Sequence, residues 1–440
     1  MFRKLALLFG FLSLTGCGIF RASMIRQFPS ASLNTLSFNS PSITIPARSN
    51  YTWTFAASGG TPPYVYSVKS GPGSVNASTG VFTAGTATGI TSIQAMDSMG
   101  HYGIATANNA WLFANAGMTS MVRDASGNLF VGGSFTSLYP YNAPGLIKLN
   151  ASNGTVALDF NPPSGLGGFP YAWVKLPDGT SILAGLFSTY GGSAANGIVK
   201  LDQYGNMITT FDPGGTGFNG AVNALVLDSS GNVFAGGSFT TYRGSPANRI
   251  AKLNATTGAL DPTFDPAGTG FSSNVSTLAF DPSGNIFVGG QFTTYQGSAA
   301  NYVAKLDTVN GNLDPTFDPA GTGFGFFVSA VALDGLGNLF VGGDFSTYRG
   351  SAANCIAKMD TTNGTLNAVF DPGGTGFNAF GNVATIAFDG LGNLFVGGGF
   401  TSYRGSTANR IAKMDTTNGT LDAVLTPEAR ALIHRFQRSF

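Results

Sequence analysis

The chain has 440 residues, room for about three domains of ordinary size and for a sizeable buried core. Only 10% of residues are charged and 22 basic side chains nearly balance 21 acidic ones, which argues against an electrostatic nucleic-acid surface and against an acidic disordered tail. Glycine supplies 63 residues, while His101, His434, Cys17 and Cys355 are the whole stock of imidazoles and thiols; the composition favours short strands and tight turns and leaves little for zinc sites, Ser-His-Asp triads or Cys-His pairs.

At the N-terminus Arg3 and Lys4 precede an apolar run from Leu5 to Leu14, too short to span a bilayer as a helix but suited to the core of a signal peptide. Leu14-Thr15-Gly16-Cys17 follows and resembles the lipobox of bacterial lipoproteins. The resemblance implies a signal peptide over residues 1–16, acylation of Cys17 and, with Gly18 and not Asp next in line, delivery to the outer membrane on that lipid anchor. Residues 17–35 read as a polar spacer.

Residues 36–110 alternate at Ile43, Ile45, Trp53 and Phe55 and carry turn strings such as Ser58-Gly59-Gly60-Thr61-Pro62-Pro63 and Ala77-Ser78-Thr79-Gly80, the pattern of a β-sandwich. GGTPPYVYSV, VNASTGVFTAG and the Asp97-Ser98-Met99-Gly100 turn resemble bacterial Ig-like domains of cell-surface proteins. His101, beside that turn, reads as a solvated loop residue.

From residue 111 to 425 one string recurs six times, starting at Asp124, near Asp178, and at Asp228, Asp281, Asp334 and Asp389. Its closing phenylalanines, Phe135, Phe187, Phe239, Phe292, Phe345 and Phe400, are 52, 52, 53, 53 and 55 residues apart, so one structural unit is repeated. In the third unit four strands are expected, Val222 to Leu227, Val233 to Thr240, Arg249 to Leu253 and Ala259 to Phe264. Four strands in about 50 residues make the blade of a β-propeller. The expected fold is therefore all-β, an Ig-like sandwich followed by six four-stranded blades, or seven if Trp111 to Asn115 pairs with a tail segment. Over Trp111 to Thr426 the repeats resemble the bacterial delta-sixty repeat of exported proteins, which implies the propeller fold and no particular chemistry. Residues 426–440 read as a short basic helical tail with Arg430, Arg435 and Arg438.

Asp supplies 20 of the 21 acidic residues. Seventeen occupy repeated positions, so they cannot form the two unlike carboxylates of a glycosidase; Asp97, Asp159 and Asp344 fall outside the pattern, and Asp344 is the odd acid of a well-formed blade. The repeated Asp-to-Asn turns read as caps, not calcium loops. Lys148, Lys200, Lys252, Lys305, Lys358 and Lys413 read as charge partners between blades. Gly215-Thr216-Gly217-Phe218-Asn219-Gly220 matches GxGxxG but precedes a strand, which makes it coincidence. No cofactor, metal site or enzyme activity is expected.

Strand alternation puts the tight turns on one face and the longer connections on the other. The long-loop face is expected to carry Tyr190, Tyr242, Tyr295, Tyr348 and Tyr403 with Arg243, Arg349 and Arg404, side-chain types enriched at binding hot spots. A slot on that face changes from blade to blade: Gly197, Arg249, Tyr302, Cys355, Arg410. The expectation is a lipid-anchored module of the outer membrane that binds an envelope protein or a glycan, on the cell surface or else as a periplasm-facing scaffold, with a carbohydrate-active enzyme as the remaining alternative.

Overall fold

A computed structural model describes residues 36–46, 52–110 and 116–422, except positions 86, 88, 139–140, 152–154, 163–164, 266, 282, 319, 372, 379–380 and 390. Cys17, the spacer, Trp111 to Asn115 and the tail lie outside the described residues. The described elements are strands, and among these residues no helix is long and apolar enough to cross a membrane. The chain divides into two units, Met1–Phe113 and Ala114–Phe440.

In the first unit a four-stranded sheet runs in the order Ser42–Pro46, Tyr102–Ala110, Gly89–Met96, Val65–Ser70, with the first pair parallel. A second sheet joins Thr52–Thr54, Val81–Ala84 and Gly73–Val75. Alternate residues of Gly89–Met96 point inward, and Ile93 and Ala95 meet Phe55 and Phe82 of the second sheet in one core. Beside it, Asp97 is 5% exposed and accepts backbone N–H bonds from Thr61, Met99 and His101 at 2.9, 3.0 and 2.8 Å. His101 is an exposed loop residue, as expected, and its ring nitrogen Nδ1 lies 3.0 Å from the same carboxylate, so the turn closes on a buried acid and ties it down. Burial opposes charge on Asp97, yet the Thr61, His101 and Met99 bonds together outweigh it and hold the carboxyl down to about 2.

In the second unit each blade is an antiparallel sheet of three strands, except blade two, where the long strand Ser181–Tyr190 also carries the hairpin strand Ser193–Ala194. For blade three these are Val222–Leu227, Asn232–Gly237 and Ile250–Asn254, in that spatial order. The blade differs from the expected one in two ways. The second strand stops at Gly237, and the chain leaves through a separate hairpin, Thr241–Tyr242 paired with Ser245–Pro246. The fourth strand is reduced to one bridge, Leu253 to Leu260, and the same single bridge occurs where no Pro follows, as at Met359 to Leu366 before Asn367-Ala368. The first strands of consecutive blades lie side by side, which makes them the inner strands.

Core packing runs across blade boundaries. Phe234 and Ile250 of blade three sit in the cluster of blade four, Phe287 and Val303 of blade four in that of blade five, and Phe340 and Ile356 of blade five in that of blade six. The first glycine of each pair admits the neighbour: a Cβ at Gly236, Gly289 or Gly342 would lie 2.4, 2.4 or 2.2 Å from Val275, Val328 or Val383 of the next blade. Within a blade, Phe271 stacks 4.2 Å from Phe292 and 4.5 Å from Tyr295, a trio repeated as Phe218, Phe239, Tyr242 and as Phe324, Phe345, Tyr348.

Among the described residues the two ends of the array are not joined as its internal junctions are. Among the described residues the inner strand of blade six, Val383–Phe388, does not lie beside that of blade one, Met118–Arg123, as consecutive inner strands do. Phe395 and Ile411 of blade six are only half-buried, where Phe340 and Ile356 are 0% exposed. Met118 and Met121 of blade one are 36% and 63% exposed, where Val275 and Leu278 of blade four are 0% and 7%.

Phe271→Ala should cost about 3–5 kcal/mol of propeller stability, the usual cost of emptying an aromatic core site, measurable by denaturant unfolding. For the sandwich, a carboxyl lowered on folding contributes its full stabilisation only while ionised in both states. That contribution should therefore be complete above about pH 4, the unfolded carboxyl range, and fade as pH falls toward 2. Asp97→Asn should remove this pH dependence in near-UV circular-dichroism melts.

Candidate functional site on the loop face

The tyrosines expected on the binding face are buried instead. Tyr190, Tyr242, Tyr295, Tyr348 and Tyr403 are at most 2% exposed. Tyr242, Tyr295, Tyr348 and Tyr403 each end a two-residue hairpin strand and Tyr190 ends the longer strand Ser181–Tyr190; the period of two points the rings at the blade core, and the isolated bridges from Phe218, Phe271, Phe324 and Phe377 lock the first four in place. The hydroxyls of Tyr242 and Tyr295 donate to the carbonyls of Gly258 and Gly311 at 2.7 and 2.6 Å, and that of Tyr190 donates to Gly205. Burial pushes all five phenols above their ordinary range.

Arg243, Arg349 and Arg404 are also used up within the fold. Their φ values are 47°, 46° and 45°, a left-handed turn residue in each hairpin. Their Nε atoms bond to Asp212, Asp318 and Asp371 at 2.8, 3.0 and 3.0 Å, and a second guanidinium nitrogen donates to the carbonyls of Phe211, Phe317 and Phe370. The Phe-Asp-Pro loop is thereby clamped to the hairpin. Blade four makes the same tie with Gln296, whose amide donates to Asp265 at 2.8 Å. The other Asp212 oxygen accepts the Gly217 N–H at 3.0 Å, so a carboxylate fills the glycine cradle that a nucleotide phosphate would need.

The remaining repeated acids are likewise engaged. Asp228 Oδ1 accepts N–H bonds from Ser230 and Asn232, and Oδ2 accepts from the Asn232 amide, the cap that the turn sequence calls for. The repeated lysines find their carboxylates in their own blade, not the next: Lys148 with Asp159, Lys252 with Asp261, Lys305 with Asp314 and Lys413 with Asp422. Asp159 thus joins the repeat pattern. The link to the next blade is to a carbonyl, as from Lys252 to Thr308 at 2.9 Å.

The variable slot is what stays available. Gly197, Arg249, Tyr302, Cys355 and Arg410 all have φ between 63° and 69°, and each donates its N–H to the closing phenylalanine of its blade. One backbone thus carries four different side chains and one glycine beside the loop that leads into the next inner strand. Arg249 and Tyr302 are half-buried and Arg410 is exposed. Gly197 leaves a hollow of about 260 Å³ among Leu186, Phe187 and Phe218. Cys355 is 4% exposed, with Sγ 2.7 Å from the Gly381 carbonyl; burial, reinforced by the Asp344 charge, pushes its thiol up to about 11, which leaves it no nucleophile.

Tyr302 belongs to an aromatic cluster that sequence reading missed. Phe326 and Phe327 stack at 4.0 Å, and the Tyr302 ring lies 6.4 and 5.8 Å from them. Phe326 is 45% exposed. The N–H of Asp344 donates to the Phe327 carbonyl at 3.0 Å, which brings an exposed carboxylate to the same place. The clue was present in the sister loops, which read Asn219-Gly220 and Ser272-Ser273 where this one reads Gly325-Phe326-Phe327.

Five segments, residues 176–211, 229–264, 282–317, 337–370 and 392–423, match the family described as "Domain of unknown function (DUF5122) beta-propeller". The chain is a β-propeller repeat protein. A search of curated proteins gave no match. Solved structures similar to this propeller chain include the extracellular domain of a putative one-component system from B. thetaiotaomicron, at 15% identity and TM-score 0.37, over 75% of this chain and 46% of that one. Virginiamycin B lyase from Staphylococcus aureus matches at 12% identity and TM-score 0.40, over 70% and 84% of the two chains. PorZ, a surface component of the Porphyromonas gingivalis type-IX secretion system, matches at 12% and 0.34, over 88% and 57%. The chain spans less than half the length of the first of these.

Removing one buried hydroxyl tests the structural role of the tyrosines. Tyr295→Phe should lower propeller stability by about 1–2 kcal/mol through the unpaired Gly311 carbonyl, read as a fall in melting temperature with ligand binding unchanged.

Proposed function

We propose that this chain is an envelope lipoprotein whose propeller binds a glycan or an envelope protein through the slots of its loop face, anchored at the outer membrane by lipid on Cys17 and presented to the cell exterior on an Ig-like stalk. The observation that carries the binding site is the cluster of Tyr302, Phe326 and Phe327 beside Asp344. Aromatic faces take the C–H faces of sugars or apolar side chains, and an exposed carboxylate accepts hydroxyl or amide donors from the same ligand. The reading is one of binding and not catalysis, because the repeated carboxylates are engaged in caps and ion pairs and Asp344 stands on the loop face with aromatic neighbours in place of a second acid.

Phe326→Ala and Tyr302→Ala should each weaken binding on a glycan array or to an envelope extract by about tenfold, the scale of a lost aromatic hot spot, while Tyr242→Phe leaves it unchanged. If both aromatic variants bind as well as the parent, the site is elsewhere. Cys17→Ser should abolish lipid labelling and release the chain from the membrane fraction; retention would refute the anchor. Protection of the propeller from protease on intact cells would place it as a periplasm-facing scaffold.

A further inference from the structure

Blade five also breaks the lysine pattern. Lys358 is 7% exposed, as deep as its counterparts, yet among the described residues it is the one repeat lysine with no carboxylate within 4.0 Å; even Lys200 has Asp178 at 4.0 Å. The cause is a single substitution: the position of Asp261, Asp314 and Asp422 is Asn367.

The local geometry shows what replaces the ion pair. In blade three, Asp261 Oδ1 accepts the Thr263 N–H at 2.9 Å and Oδ2 lies 2.9 Å from Lys252. Asn367 keeps the first role, its Oδ1 accepting the N–H groups of Val369 and Phe370 at 3.0 and 3.2 Å. That bond fixes the amide orientation and leaves Nδ2, a donor, on the side where the sister blades present an acceptor to the lysine. The ammonium has three protons. One goes to the Thr416 carbonyl at 2.9 Å, and the group lies 5.3 Å from the Phe340 ring centroid, nearer than the 5.8 and 5.9 Å of Lys252 and Lys305 from theirs. Neither contact supplies the missing negative charge. Lys358 and Asn367 line a cavity of about 310 Å³ together with Ser351, Leu366 and Asp371, at the lower end of ligand pocket sizes. Asp371 is neutralised by Arg404 at 3.0 Å.

We propose that this cavity on blade five is a carboxylate-binding site, in which the ligand's carboxylate takes the place of the missing Asp side chain between Lys358 Nζ and Asn367 Nδ2. Blades three, four and six supply the template, since each holds a carboxylate in this position on the matching lysine. A carboxylate reaches the site from a sugar acid or from a peptide C-terminus, and the chemistry of recognition is shared. The site stands apart from the aromatic cluster and does not depend on the binding role given to it.

The full chain is titrated with acetate, galacturonate and N-acetyl-alanyl-alanine, with chloride and galactose as controls, and binding is read by calorimetry and by the rise in melting temperature. All three carboxylates should bind saturably and the controls should not. Asn367→Asp restores the sister-blade pair: it should raise the melting temperature of the unliganded chain and weaken carboxylate binding by about tenfold or more, the scale of a charge-assisted contact replaced by repulsion. Lys358→Met should abolish binding. Tighter binding of galacturonate than acetate identifies a sugar acid, tighter binding of the dipeptide a peptide terminus, and equal binding a site for the carboxylate alone. Equal binding to parent and Asn367→Asp chains, a response to chloride matching that to acetate, or no saturable response would each overturn the proposal. Because Asn367→Asp is expected to fold more stably than the parent, loss of binding in it cannot be put down to unfolding.

Discussion

Blades two to six of this propeller each depend on side chains that belong to the blade before them. The clusters of blades four, five and six each take one ring from the preceding second strand and one aliphatic from the preceding third strand, and all of these are at most 1% exposed. Burying a pair of that kind contributes about 3–6 kcal/mol per junction by area, an upper bound since the unfolded chain already hides part of the surface. A unit of about 50 residues has no comparable core of its own. The junction distance is then set by what is absent: Gly236, Gly289 and Gly342 have no Cβ, and the valine of the next inner strand occupies that space.

The same dependence explains the ends. Gly397 of blade six has the sequence of a junction glycine, but the nearest atom to its Cβ position is Thr385 of its own blade at 2.9 Å. Blade one offers Met118 and Met121 where blades three to five bury Val and Leu or Val and Val. Methionine is flexible and polarizable, so it tolerates a contact surface less exactly shaped than the five internal junctions. Inner-strand stability should therefore be lowest at the two end blades, where one of two flanking contacts is missing.

Much of this was legible in the sequence, and the errors have a common origin. The repeat, the all-β character, the strand limits of Val222–Leu227 and the capped Asp-to-Asn turns could be read because turn chemistry and hydrophobic spacing act locally. The role of Tyr242 and its counterparts could not, because a Tyr-Arg-Gly-Ser loop looks solvent-facing until one knows that it folds back as a hairpin over the Phe218 ring. Arg243 followed it into the wrong class, since its partner Asp212 is 31 residues away. Lys252 was assigned to the right kind of partner in the wrong blade, because Asp261 becomes its neighbour only when the chain doubles back at Leu253 and Leu260. The slot was recognised by its variation, which the backbone permits because a left-handed residue held by its backbone N–H imposes no demand on the side chain's chemistry: Arg410 is exposed there, Arg249 and Tyr302 are half-buried and Cys355 is buried.

Blades five and six are nearly the same sequence, DGLGNLFVGG followed by similar hairpins and by IAKMDTTNGTL. Their scaffold requirements are therefore alike, and drift alone should leave them differing at exposed positions without chemical direction. Besides the small changes Ser346 to Thr401, Thr347 to Ser402 and Ala352 to Thr407, they differ at Asp344 against Gly399, Cys355 against Arg410 and Asn367 against Asp422, and blade five alone is preceded by Phe326-Phe327. One change adds an exposed charge beside the aromatic rings, and another removes the acid that neutralises a buried lysine. The second runs against stability, since an unpaired buried cation costs more than the ion pair it replaces. A destabilising change inside an otherwise well-formed blade is the mark of a place where something other than folding sets the residue. In a repeat protein the sister units provide the reference state, so a departure of this kind locates a site without any outside comparison.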